Sequence, residues 1–136
     1  MNIRITVLYG LLILTIIMLA NFGMLSPISS QLHKIPYSDK IIHFLLIGGL
    51  AFMVNYSLKC SAWQLGGWPI LKGSVFVAIF ITLEEFSQYF QVNRSFDLID
   101  LAANYAGILA FTFLSLAINC FKKPKKATVD HAESFK

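Results

Sequence analysis

The stretch from Val77 to Gly107 runs from an apolar segment straight into Glu84-Glu85, followed by Gln88, Arg94, Asp97, Asp100 and Asn104. Upstream, Asp39-Lys40 is followed by His43. Carboxylates near a histidine are the groups that general acid–base catalysis uses. Lys40, His43 and Arg94 are also donors able to hold a phosphate or carboxylate through charge-assisted hydrogen bonds. A His/Asp/Glu set is chemically able to bind a divalent metal, but these residues follow no recognised ligand spacing. The expectation is therefore no metal and no cofactor. A Walker-type phosphate loop and the paired-cysteine spacing of zinc sites are both missing from the sequence.

The elements that must position these groups are written in the hydropathy. The chain is 57% hydrophobic and 13% charged, more apolar than one soluble core can hide, so its solvent must be lipid. Ile5–Leu25, Ile41–Leu58, Gly73–Phe90 and Leu98–Phe121 each approach the roughly 20 residues that a helix needs to cross a bilayer. Pro27, Pro36, Pro69 and Pro124 all fall between or just outside them, where proline does not break a helix. The expected fold is all-α: a polytopic bundle of four transmembrane helices, about 4–25, 38–58, 70–91 and 97–121. These form one domain over 1–121, with a basic, mobile cytoplasmic tail at 122–136. The first apolar run is longer than a signal-peptide core and lacks a small-x-small cleavage site, so it is read as a retained helix.

Lysine and arginine favour cytoplasmic loops. Arg4, Lys59, Lys72, Lys122, Lys123, Lys125, Lys126 and Lys136 fall on one side of a four-helix path; Lys34, Lys40 and Arg94 fall on the other. Both termini are accordingly expected in the cytoplasm. The "KKPKK" cluster reads as a topology anchor at an anionic lipid surface, with no nucleic-acid partner expected. Cys60 and Cys120 map to the reducing side, so no structural disulfide is expected. Gly66-Gly67 reads as a loop turn. Ala102, Ala106 and Ala110, with Ala103 and Gly107, read as a close-packing helix surface.

With that orientation, three helices deliver polar groups to one slab near the outer leaflet. Asp39 and His43 are four apart and share a helix face; Asp97, Asp100 and Asn104 follow an i, i+3, i+7 stripe. Glu85 and Gln88 share a face as well, which favours Glu85 over Glu84 as the inward acid. An isolated charge at membrane depth costs about 2.5 kcal/mol or more, so the groups are expected to face one another across the bundle. Plainer roles stand beside this. Ser38 or Asp39 caps the second helix, Asp97 caps the fourth, His43 is a satisfied interior histidine, and Asn104 is interhelical glue.

"SDKIIHF" followed by "EFSQYFQVNRSFDLIDLAANYAG" resembles the VanZ-like membrane proteins, a family named for an accessory factor that reduces susceptibility to the glycopeptide teicoplanin. The pattern falls on Asp39, Lys40, His43 and Phe44, then Glu85 and Gln88, then Arg94, Asp100, Asn104 and Gly107. It covers residues 38–110. Val92-Asn93 stands where relatives often have Pro-Gly, and Ile47 where a tyrosine is frequent. The resemblance implies a protein of the bacterial cytoplasmic membrane with a link to the cell envelope.

Three functions follow as expectations. The first is a polar pocket that binds or protects an anionic lipid headgroup or lipid-linked cell-wall precursor, with Lys40, His43 and Arg94 on its rim. The second is an intramembrane enzyme using Glu85 and His43 as an acid/base pair on such a precursor, with Asp100 and Asn104 orienting the histidine or a water. The third is a membrane scaffold in which the cluster fixes helix register.

Overall fold

A computed structural model describes residues 3–32, 34–92 and 96–122. Five helices appear in the order α1 (Ile3–Asn21), α2 (Ser26–Leu32), α3 (Ser38–Ser57), α4 (Lys72–Gln88) and α5 (Leu98–Lys122). A two-stranded antiparallel hairpin, β1 (Ala62–Leu65) and β2 (Trp68–Leu71), joins α3 to α4. Arg94, His33 and the tail from Lys123 onward lie outside the described residues, as does the side chain of Cys120.

α1, α3 and α5 are long and apolar enough to cross a membrane. They leave large hydrophobic side chains on their outer faces, among them Leu8, Leu12, Ile41, Leu109 and Phe113. A helix apolar on its outward side as well as its inward side belongs in lipid. The chain is thus mostly helical, with the character of a membrane protein.

The segment expected at 70–91 differs. Trp68–Leu71 pairs with Ala62–Leu65, so α4 starts only at Lys72 and has 17 residues. The cause is Gly66-Gly67, whose φ angles of +56° and +84° make a two-residue hairpin loop of the primed kind. The hairpin is also a departure from a purely α fold. The short α2, in the connection between α1 and α3, carries no signal in the apolar pattern.

Side-chain contacts give the directions. Thr6 Oγ1 lies 2.6 Å from Ser57 Oγ, and the Tyr9 hydroxyl donates to the Leu46 carbonyl at 3.2 Å, so α1 runs antiparallel to α3. Asn55 Nδ2 donates to Ser74 Oγ at 2.7 Å, and Ser74 Oγ meets Thr112 Oγ1 at 2.5 Å, so α4 runs against both α3 and α5. The last two are parallel and cross closely. A Cβ on Gly107 would collide with the Phe44 carbonyl oxygen, and the Phe44 and Phe111 rings meet edge-on at 6.0 Å beside it. Of the small residues expected to pack closely, Gly107 makes this contact, whereas Ala102, Ala106 and Ala110 are exposed. The core between the helices is Ile13, Ile47, Leu50, Ala51, Val77, Ile81 and Ile108.

Candidate functional site

Antiparallel packing brings the start of α3, the end of α4 and the start of α5 to one end of the bundle. The side chains there separate into two groups.

The first group is a clamp. Lys40 Nζ donates to Asp97 Oδ2 at 2.8 Å and pairs with Asp100 Oδ1, and Asp39 Oδ2 is 3.6 Å away. Asp97 also caps α5, its Oδ1 accepting the Ile99 N–H at 2.8 Å. The Lys40 ammonium, with that N–H, holds the Asp97 carboxyl below the usual carboxylate range. On α3 the capping reading fails: Tyr37 occupies the N-cap in a left-handed conformation and makes no side-chain capping bond.

Glu85 completes the clamp from α4. It is fully buried; its Oε1 accepts the Asp97 N–H at 3.3 Å, and its Oε2 accepts from Gln88 Nε2 at 3.4 Å. Gln88 Nε2 also reaches both Glu84 oxygens, at 3.1 and 2.9 Å. The amide therefore bridges the adjacent glutamates that the sequence left as alternatives.

The second group faces a cleft. A cavity of about 640 Å3 is lined by Ile13, Ile16, Ile17 and Ala20 of α1, Ile42, Leu46 and Ile47 of α3, and Ile81 of α4. Leu25 and Ile28 add apolar surface near one end. Its polar lining is Asp39, His43, Glu84, Ser26 and Ser30. Asp39 Oδ1 is 3.9 Å and Asp100 Oδ2 is 4.0 Å from His43 Nε2, while His43 Nδ1 meets Asn104 Oδ1 at 3.2 Å. An amide oxygen only accepts, so in this contact Nδ1 is the donor.

Asp39, Lys40, His43, Glu85, Gln88, Asp100 and Asn104 thus assemble at one end, and Arg94 lies outside the described residues. Lys40 is not on the cleft wall; its ammonium is spent on carboxylates. The acid on the wall is Glu84, while Glu85 faces the α5 entry. Sequence reasoning passed over Glu84 as a wall residue and passed over the isoleucine wall. The available signal was the Ile13, Ile16, Ile17, Ala20 row at helical spacing.

Comparison with family models, curated proteins and solved structures finds no match for this chain.

Proposed function

We propose that this chain is a VanZ-like membrane protein whose cleft receives a lipid or lipid-linked envelope precursor. The apolar chain lies along α1 and α3, and the headgroup meets Asp39, His43 and Glu84. The observation that carries this reading is the cleft's division into an isoleucine-lined body and a polar part at the clamp end. An amphiphile matches both parts, because the polar side chains can hydrogen-bond a headgroup and the apolar wall favours hydrocarbon.

Placement in the bacterial cytoplasmic membrane with both termini inside belongs to the same proposal, supported by the distribution of lysine and arginine. In it α4, about 26 Å long at 1.5 Å per residue, completes a fourth crossing. The polar end then lies in the outer leaflet, where glycopeptides meet lipid-linked wall precursors, which is how teicoplanin susceptibility would enter.

The headgroup expectation changes in one respect. With Lys40 committed to Asp97 and Asp100, the cleft offers acceptors and an imidazole. Hydroxyl or amine donors suit it directly. A phosphate needs a cation there, from Arg94 or from solution.

One observation favours a second reading, the acid/base enzyme. His43 is oriented by Asn104, with Nε2 near Asp39 on the cleft wall, so His43 is a better base than the fully engaged Glu85. Turnover of a labelled lipid-linked precursor that disappears in His43→Gln supports it; equal turnover in that variant rejects it.

The binding reading is tested by native mass spectrometry of the purified chain from mild detergent. A retained lipid that is lost in Ala20→Phe, with unfolding unchanged, is expected. Release of all lipid from wild type under conditions that preserve the fold would contradict it.

A further inference from the structure

We propose that Asp39, His43 and Asp100 bind a divalent transition-metal cation at the polar end of the cleft. Asp39 Oδ1 and Asp100 Oδ2 flank His43 Nε2 at 3.9 and 4.0 Å, and one ligand atom from each residue lies within 4.8 Å of the others. These separations are too long for direct hydrogen bonds. A cation about 2.0–2.2 Å from each nitrogen or oxygen would draw these atoms together by roughly half an ångström.

The surroundings prepare the ligands. Asn104 Oδ1 meets Nδ1, and Nε2 is directed between two carboxylates. The Lys40 ammonium already pairs with Asp100 Oδ1 and lies 3.6 Å from Asp39 Oδ2, which leaves Asp39 Oδ1, Asp100 Oδ2 and His43 Nε2 as the atoms a further cation would meet. A ligating histidine whose other nitrogen is held by a hydrogen-bond acceptor is the usual outer-shell arrangement of metal sites. Lys40 engages the other Asp100 oxygen, Oδ1, and leaves Oδ2 for the ion.

A separate observation points to a missing partner. Asn104 is fully buried, and its Nδ2 has no hydrogen-bond partner among the described residues. An orphaned buried donor costs about 1–3 kcal/mol. A water held in the site would supply the acceptor that this donor lacks. Two carboxylates and an imidazole suit Mn2+ or Zn2+. Because Asp39 and His43 line the cleft, an ion held by them would be reachable from it and would give an acidic pocket a means of holding phosphate.

The site deepens the proposed lipid-binding role, yet it is separable from it. The full chain, purified in detergent and stripped with chelator, is titrated with Mn2+ alone and followed by electron paramagnetic resonance. One saturable equivalent is expected, with histidine 14N coupling in the pulsed spectrum. Affinity falls at least tenfold in Asp39→Asn and His43→Ala, the nitrogen coupling vanishes in the latter, and binding persists in Asp97→Asn, which removes a neighbouring acid but no ligand. Thermal unfolding of each metal-free variant separates lost binding from lost fold, and the wild-type nitrogen coupling stands even where a variant fails to fold. No saturable Mn2+ binding, or binding without nitrogen coupling, overturns the site. If Mn2+ fails to bind while lipid retention survives, only the metal site falls. If lipid retention fails while Mn2+ binds, only the lipid-binding role falls.

Discussion

Lys40 Nζ stands 2.8 Å from Asp97 Oδ2, tying the first turn of α3 to the residue that caps α5. A cation expected on the rim of a binding pocket is instead the fastener between two helices. Lys40→Met leaves Asp97 and Asp100 without their counter-ion. The loss lies between the ~0.5 kcal/mol of an exposed pair and the ~3 kcal/mol or more of a buried one, because the Lys40 side chain is 25% exposed. Thermal unfolding in detergent checks this; an unchanged midpoint would show the clamp to be ornamental.

The same pair sets a pH dependence. The folded Asp97 carboxyl sits below its ordinary value, held by Lys40. Its contribution is therefore complete above the unfolded value of about 3.9 and is lost as pH falls through the lower folded value. The difference in stability between wild type and Asp97→Asn should be constant from pH 7 to about 5 and shrink below about pH 4. A difference that instead grows in acid contradicts the assignment.

Close approach of α3 and α5 rests on Gly107. Gly107→Val places its side chain against the Phe44 backbone and should cost ~3 kcal/mol or more, reducing membrane abundance sharply. Ala102→Val, on the exposed row, should fall within about 0.5 kcal/mol of wild type. Equal abundance of the two variants would move the helix crossing to the alanine face.

Glu85 is engaged on both oxygens, by the Asp97 N–H and by Gln88. Glu85→Ala removes the acceptor of the partly buried Asp97 N–H and leaves a cavity, for a combined loss of about 2–4 kcal/mol. Glu84→Ala loses an acid from the cleft wall and should alter lipid retention more than stability. The reverse pattern in unfolding and native mass spectra would exchange the two roles.

What was legible in the sequence follows from how each feature is encoded. The three long spans are continuous apolar runs, and composition alone reveals them. Asp97 capped as its position before Leu98 suggested, because capping is a local interaction. The start of α4 was missed because "WPIL" is as apolar as a helix; only Gly66-Gly67, with apolar residues on both sides, signals a hairpin. The fate of Lys40 was not legible, since Asp97 and Asp100 are distant in sequence and reach it only when α3 and α5 pack in parallel. The cleft was hidden for another reason. α1 is apolar on every side, so no periodicity distinguishes the face lining a cavity from the face in bulk lipid.

Whether the cleft holds a lipid of its own is best measured by photo-crosslinking in native membranes. A photoreactive amino acid replaces Ile16, on the cleft wall, or Leu12, on the outer face. An occupied cleft gives from position 16 one enriched lipid or lipid-linked species, lost in the Ala20→Phe background, while position 12 returns the bulk membrane composition. Identical bulk mixtures from both positions would show that the cleft selects nothing, contradicting the proposed function.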